Sequence, residues 1–347
     1  MAGRVLDPSR APVAYGRRAV PRLFEELQHP EVERKNRALT SLCDVLHDPE
    51  FIYQTVNGGF LDHFRVLLED EDPLVRSKSC KLLHILNSHS IGREATLSSS
   101  LLPLLSRLLD DSSSSCRRNV HRVLSRLTLL PAGSHALLSL VPKLMQKLMD
   151  EEEKEEEVQV LILSTINACS AMDPLPALGA DGVSVLSQKL SHRSPDIRRE
   201  AAAALMAISV CVDGKRQVCA DEVLPVVVGL LQDEDIEVQV NAAGVIMYIV
   251  TTTQGKQQCL KLNIIPILLD RVSKKTDEEK NTEKKRRKKA LTTYCLRVLT
   301  ALAEAPDGRR LLLKQLPVLA VRSEEAEEDQ DIRRAAQTAV QVITWTP

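Results

Sequence analysis

Eight cysteines and eight histidines are the residues of this chain best suited to metal or nucleophilic chemistry. The thiols stand at Cys43, Cys80, Cys116, Cys169, Cys211, Cys219, Cys259 and Cys295. No two form Cys-x-x-Cys, and no His-x-x-x-His accompanies them, so zinc-type spacing is missing. His84 and His89 are close neighbours but have no further ligand types at metal spacing. The glycines of "VNGGF" at Val56 lack the Lys-Ser/Thr that completes a phosphate loop. Neither G-x-S-x-G nor H-E-x-x-H occurs. The reading is therefore no enzyme: no catalytic, cofactor-binding or metal-binding residues are assigned, and no cofactor. The cysteines are expected to be free, small, buried hydrophobes.

The elements that carry these residues explain their scatter. Segments reading "VPRL" (Val20), "LDHF" (Leu61), "LPLL" (Leu102), "VPKL" (Val141), "VSVL" (Val183), "LPVV" (Leu224), "IPIL" (Ile265) and "LPVL" (Leu316) recur along the chain. Their spacings are 41, 41, 39, 42, 41, 41 and 51 residues. Self-similarity at such a period marks an α-solenoid. Proline at the start of six of the eight segments suits a helix's first turn, where N–H groups lack partners anyway. A polar turn follows, such as "EDEDPL" or "QDEDIE", whose acids can cap the next helix. Then comes a longer apolar run such as "IRREAAAALMAISV", with the period of a helix. Gly92-Arg93, Gly214-Lys215, Gly255-Lys256 and Gly308-Arg309 close four of the runs, and each glycine is expected to be left-handed and to end its long helix.

Three helices in about 41 residues match the armadillo pattern, with two-helix HEAT repeats as the rival. The expected fold class is all-α: an armadillo-like α-solenoid, a right-handed superhelix of about eight three-helix repeats. Residues 1–18 read as an N-terminal arm and 19–347 as one continuous array, with end units acting as caps.

Composition agrees with this architecture. The 347 residues are 44% hydrophobic but only 3% aromatic, which suits helix-on-helix packing better than a β-sandwich. A net charge of −1 gives no global attraction to nucleic acid or membrane. "MAGRVLDPSRAPVAYGRR" has no apolar signal region. The uncharged run Val238 to Gly255 approaches the length of a membrane span, yet it contains Gln239, Asn241 and Gln254 and keeps the repeat register. It reads as a buried helix plus its cap. A soluble, intracellular protein is expected.

Two irregularities stand out. The fourth repeat carries the acidic turn Asp150 to Glu157 and lacks a Gly-cation junction. The 51-residue spacing holds a charged insertion, 273–290, containing "KKRRKK" (Lys284 to Lys289). That tract reads as a mobile loop or a helical extension, against a nuclear-import signal or a phosphate-binding patch. The insertion is expected to be mobile and dispensable for folding. At the positions where import receptors line their groove with asparagine, this chain has Ser41, Ile85, Arg126, Ala207, Tyr248, Ala301 and Val342. An import receptor is thereby disfavoured.

The stretch "AYGRRAVPRLFEELQHPEVERKNRALTSLCDVLHDPE" (Ala14 to Glu50) resembles the radial spoke head 14 family of armadillo-repeat proteins in cilia and flagella. "VRSKSCKLLHILNSHSIGREA", "NAAGVIMYIVTTTQGK" and "LTALAEAPDGRR" add to the likeness, which runs from about Ala14 to the C-terminus. The insertion is longer than that family leads one to expect. The resemblance implies a structural subunit of the axonemal radial spoke, supporting motility of cilia and sperm flagella by protein-protein binding. It implies other radial spoke and axonemal proteins as partners, and no small-molecule substrate, nucleic acid or membrane. Cytoplasm, cytoskeleton and the axoneme are the implied locations. The alternative is a soluble armadillo adaptor in trafficking or signalling.

Overall fold

The computed structural model of the chain describes residues 7–13, 16–150, 154–220, 222–274, 281–324, 327 and 329–345. Parts of the arm, of the acidic turn and of the insertion (1–6, 14–15, 151–153, 275–280) lie outside the described residues, as do 346–347. Among the described residues there are α-helices and short 3-10 turns and no strand. The chain divides into two compact units, Met1–Leu140 and Val141–Pro347.

The first unit holds three repeats. Its helices are α1 (Ala19–Glu26), α2 (Val32–Val45), α3 (Pro49–Asn57), α4 (His63–Leu67), α5 (Pro73–Leu86), α6 (Ser90–Ser98), α7 (Leu102–Leu108), α8 (Ser114–Leu127) and α9 (Pro131–Ala136). The long helices α2, α5 and α8 pack in sequential order. Arm residue Ala11 is buried against α2, where its N–H donates to Ser41 Oγ at 3.0 Å. Arg10 pairs with Asp44 on the same helix.

The second unit continues the pattern. It comprises α10 (Val141–Met149), α11 (Glu156–Met172), α12 (Leu175–Leu178), α13 (Gly182–Leu190), α14 (Pro195–Ile208), α15 (Val212–Ala220) and α16 (Leu224–Leu230). Then come α17 (Ile236–Ile249), α18 (Thr253–Lys261), α19 (Ile265–Ser273), α20 (Thr282–Leu302), α21 (Pro306–Leu313), α22 (Leu316–Ser323) and α23 (Gln330–Thr344). Here α11, α14, α17, α20 and α23 form the ladder of long helices. Each unit is thus an armadillo-like stack, and buried leucine, valine and isoleucine fill it between neighbouring helices. The apolar run at Val238 is α17, which stops at Ile249; Thr252 then caps α18 by accepting from Gly255 N–H at 3.0 Å. No helix among the described residues is long and apolar enough to cross a membrane.

The junction glycines behave differently from the sequence expectation. Gly92, Gly214, Gly255 and Gly308 have no positive φ; each is the third residue of the short helix that follows. A Cβ there would lie 2.0–2.2 Å from the carbonyl oxygen of Leu86, Ile208, Ile249 or Leu302 near the end of the preceding long helix. Glycine is required by close approach of two backbones, not by handedness. Gly133 of the third repeat fills the same role, since a Cβ there would lie 2.0 Å from Leu127 O, without a following cation.

The left-handed residues sit one junction later. Gly59, Asp181, Glu222 and Asn263 have φ of 72°, 53°, 55° and 51°. Each stands two residues before a segment that opens a repeat. There the chain reverses into the next short helix, and the left-handed residue recurs in this place at four of the eight repeat starts.

Candidate protein-binding surface

Sequence-adjacent polar turns are tied together by clamps thirty-five residues long. Arg76 donates from Nε and Nη2 to the carboxylate of Asp111 at 2.6 and 3.1 Å. Its Nη1 reaches back to the carbonyls of Asp70 and Glu71. Arg198 repeats this with Asp233 at 2.7 and 2.9 Å, and its Nη1 donates to His192 O and Arg193 O. Lys35 meets Asp70 in the same relation. Burial alone would raise Asp111 and Asp233, but the guanidinium hydrogen bonds hold both below the ordinary carboxylate pKa. These pairs are nearly buried and fix the turns that set the long helices.

With the turns fixed, the long helices of the second unit present two adjoining clefts. The smaller, of ≈ 470 Å³, is bordered by Asn167, Arg199, Glu200, Glu237, Asn241 and Arg287. Arg199 lies 2.8, 2.6 and 2.7 Å from Asp196, Asp235 and Glu237. Glu237 also meets Arg287 at 2.6 Å. Asn241 donates to Arg199 O at 3.1 Å. Burial raises the Glu200 pKa, while Arg199 beside it pulls the other way. Charges in this cleft are largely matched internally.

The larger cleft, of ≈ 670 Å³, lies between α20 and α23 and shares Arg286 and Ala290 with the first. Lys289 spans to Asp329 at 2.9 Å and Asp331 at 2.6 Å, and its pKa is raised by hydrogen bonds to Asp331 and Asp329. Glu304 is taken by Lys256. Arg286, Arg297 and Arg334 are exposed on its walls and have no ion-pair partner among the described residues.

The basic tract therefore has a definite place. Asn281 caps α20 by accepting from Glu283 N–H and Lys284 N–H at 3.0 and 3.2 Å. Lys284 to Lys289 lie in the opening turns of α20, which has 21 residues against 14 in α14 and α17. This is the helical extension among the sequence alternatives and not the mobile loop: 282–290 belong to α20, where Arg287 and Lys289 pair with neighbouring repeats. The insertion's other end is anchored too. Buried Arg322 donates to Val272 O at 2.8 Å, Lys274 O at 2.6 Å and Glu327 at 2.6 Å.

Of the groove positions read from the sequence, Ala301 lines the larger cleft. Ile85 is buried, and Arg126, Ala207, Tyr248 and Val342 are half-buried. Ser41 is out of register: Ile85, Arg126, Ala207 and Tyr248 are twelve residues past the starts of their helices, and in α2 that place belongs to Asp44. The cleft arginines that have no ion-pair partner among the described residues were missed because nothing local marks a basic residue as unpaired. Seven cysteines are buried and Cys211 is half-buried. Burial pushes the thiols of Cys169, Cys259 and Cys295 up to about 12. His89 and His84 stand apart in α6's entry and α5, and His84 Nδ1 lies 3.2 Å from Arg122 O. Among the described residues no three His, Cys, Asp or Glu groups converge as a metal site.

Solved structures share this fold. An engineered protein is 18% identical with a TM-score of 0.69, covering 95% of this chain and 89% of its own. A designed armadillo repeat protein is 19% identical, TM-score 0.61, with 66% of this chain and 99% of its own covered. Another, solved in complex with the peptide (KR)4, is 20% identical, TM-score 0.60, over the same shares. The model of a family described as dynein axonemal assembly factor 5-like, TPR repeats, matches residues 67–258. The repeats seen here have three helices at a period of 41, longer than the two-helix, 34-residue TPR unit. That match spans 192 of the 347 residues, more than half of the chain, which accordingly belongs to the dynein axonemal assembly factor 5-like repeat family.

Proposed function

We propose that this chain is a non-catalytic scaffold of motile cilia and sperm flagella, a structural subunit of the axonemal radial spoke that works by holding protein partners. The observation that carries the reading is the pairing of a dynein axonemal assembly factor 5-like repeat family with a long, cleft-bearing helix ladder. Such ladders offer extended surface rather than a point where catalytic groups converge. A similar designed armadillo protein was solved with a peptide, which supports a peptide-holding role for these helices. The resemblance of Ala14 to Glu50 and of the later stretches to radial spoke proteins supports the finer assignment. We retain the arm 1–18, the array 19–347 and the insertion 273–290 as the domain plan.

A second reading is favoured by the family's description: a factor that assists assembly of axonemal dynein. Fractionation separates the two. A spoke subunit stays with demembranated axonemes, and its loss leaves abnormal beating with altered spoke density in cryo-tomograms. Recovery only in the soluble cytoplasm, with dynein arms missing and spokes intact, would overturn the spoke reading in favour of assembly. Normal motility with complete spokes and arms would support instead a trafficking or signalling adaptor.

A further inference from the structure

We propose that the cleft between α20 and α23 docks an extended acidic segment of a partner protein, gripped by Arg286, Arg297 and Arg334. The inference rests on the scaffold reading above and adds the chemistry of the partner.

Charge makes the first argument. The other charged groups of the cleft are mutually satisfied: Lys289 with Asp329 and Asp331, and Glu304 with Lys256. Arg286, Arg297 and Arg334 are left exposed and without an ion-pair partner among the described residues. The chain's net charge of −1 gives no general excess of cations to account for three on one cleft. A guanidinium fork fits a carboxylate in a bidentate manner, a geometry that lysine cannot supply.

Spacing makes the second. Arg286 and Arg297 are eleven residues apart on one helix, which puts them about 16 Å apart along its axis. About five residues of extended chain span that distance. An acidic segment with carboxylates near both ends would meet both guanidiniums at once, with Arg334 across the cleft on α23 as a third contact. Between them the lining is small, with Ala290, Ala301 and Ala335, so a main chain can approach closely. Tyr294 is the sole aromatic side chain lining the cleft, too few for successive base stacking, so acidic peptide is favoured over single-stranded nucleic acid.

The test is fluorescence polarisation with the full chain at low salt, using a labelled twelve-residue Glu-rich peptide. Its Gln-for-Glu counterpart, a Lys-rich peptide and oligo-U serve as comparisons. The Glu-rich peptide should bind at least tenfold more tightly than the Gln peptide, and weaken as salt rises. The triple variant R286Q/R297Q/R334Q should lose about tenfold, from three exposed charge-assisted contacts. These side chains have no partner to lose among the described residues, so circular dichroism and melting temperature should match wild type; Arg310→Gln, outside the cleft, should bind as wild type does.

Equal binding of Glu and Gln peptides, or an unaffected triple variant of native fold, would overturn the proposal. So would oligo-U binding more tightly through the same arginines, or dimers of the wild type that the triple variant abolishes, which would give the cleft to a second copy. A chain that still incorporates into spokes with the triple substitution would leave the scaffold reading intact while sinking this one. Acidic-peptide binding by a chain absent from axonemes would do the reverse.

Discussion

Arg198 and Asp233, thirty-five residues apart, meet in a two-pronged ion pair at 2.7 and 2.9 Å while the third guanidinium nitrogen closes the turn that precedes α14. One side chain thereby joins its own turn to the turn of the next repeat. Arg76 and Asp111 do the same in the first unit. Breaking such a contact acts on the stacking register, not merely on a surface charge.

Asp233→Ala leaves two guanidinium donors of Arg198 without their carboxylate in a nearly buried site. The expected cost is about 2 kcal/mol. A urea melt reads it, and a double-mutant cycle with Arg198→Ala should return a coupling well above that of the exposed pair Arg216–Asp213.

Acid should weaken these clamps in a defined window. Asp111 and Asp233 have folded pKa values below the ordinary carboxylate value, despite burial, because of their arginines. Their contribution is fully present above the unfolded pKa of about 4 and is lost as pH falls through the lowered folded values. Stability of D111N/D233N should therefore fall less steeply than wild type below about pH 4. Parallel curves for the two proteins from pH 5 to pH 2 would show that the pairs do not contribute.

Gly255→Ala places a Cβ 2.2 Å from Ile249 O and 2.5 Å from Ile249 Cγ2. Overpacking against backbone should cost about 2 kcal/mol or more. Gly229→Ala is the control: it is an exposed helical glycine with nothing within 4 Å of the new methyl, and it should gain about 0.5–1 kcal/mol. Thermal melts of the pair should move in opposite directions.

Glu222 holds a left-handed backbone, with φ of 55°, that a side chain tolerates poorly. Glu222→Gly should raise stability by about 0.5–1 kcal/mol, whereas the same change at an ordinary helical site lowers it. A drop in melting temperature would mean that the glutamate side chain contributes more than its backbone costs.

Thiol titration should distinguish Cys211 from the rest. It is the half-buried cysteine, so it should react first in native protein; the others should require denaturant. Cys80 and Cys116 face each other with sulfurs 4.0 Å apart on α5 and α8, and a hydrogen bond between them, then burial, raises the Cys80 pKa. Rapid modification of Cys80 in the native state would show that α5 and α8 open readily.

What the sequence determined by itself is the repeat. The 41-residue spacing, the prolines of the first turns and the acids of "QDEDIE" are local signals. They act within a few residues, so the all-helical armadillo-like stack and caps such as Asp235, which accepts from Glu237 N–H and Val238 N–H, were legible. Gly255 was legible as a junction but not in its reason, because a close approach between two helices leaves the same mark in sequence as a left-handed turn. A basic residue at Lys35, Arg76 and Arg198, with Asp70, Asp111 and Asp233 thirty-five residues on, was readable in principle once the period was known. Only the tertiary structure decided which charges are spent and which remain. Arg287 and Lys289 of "KKRRKK" are consumed by carboxylates brought in from other repeats, while Arg286, the residue just before Arg287, faces a cleft with Arg297 and Arg334. Pairing of charges depends on distances across the helix ladder, and those distances exist only once the helices have stacked.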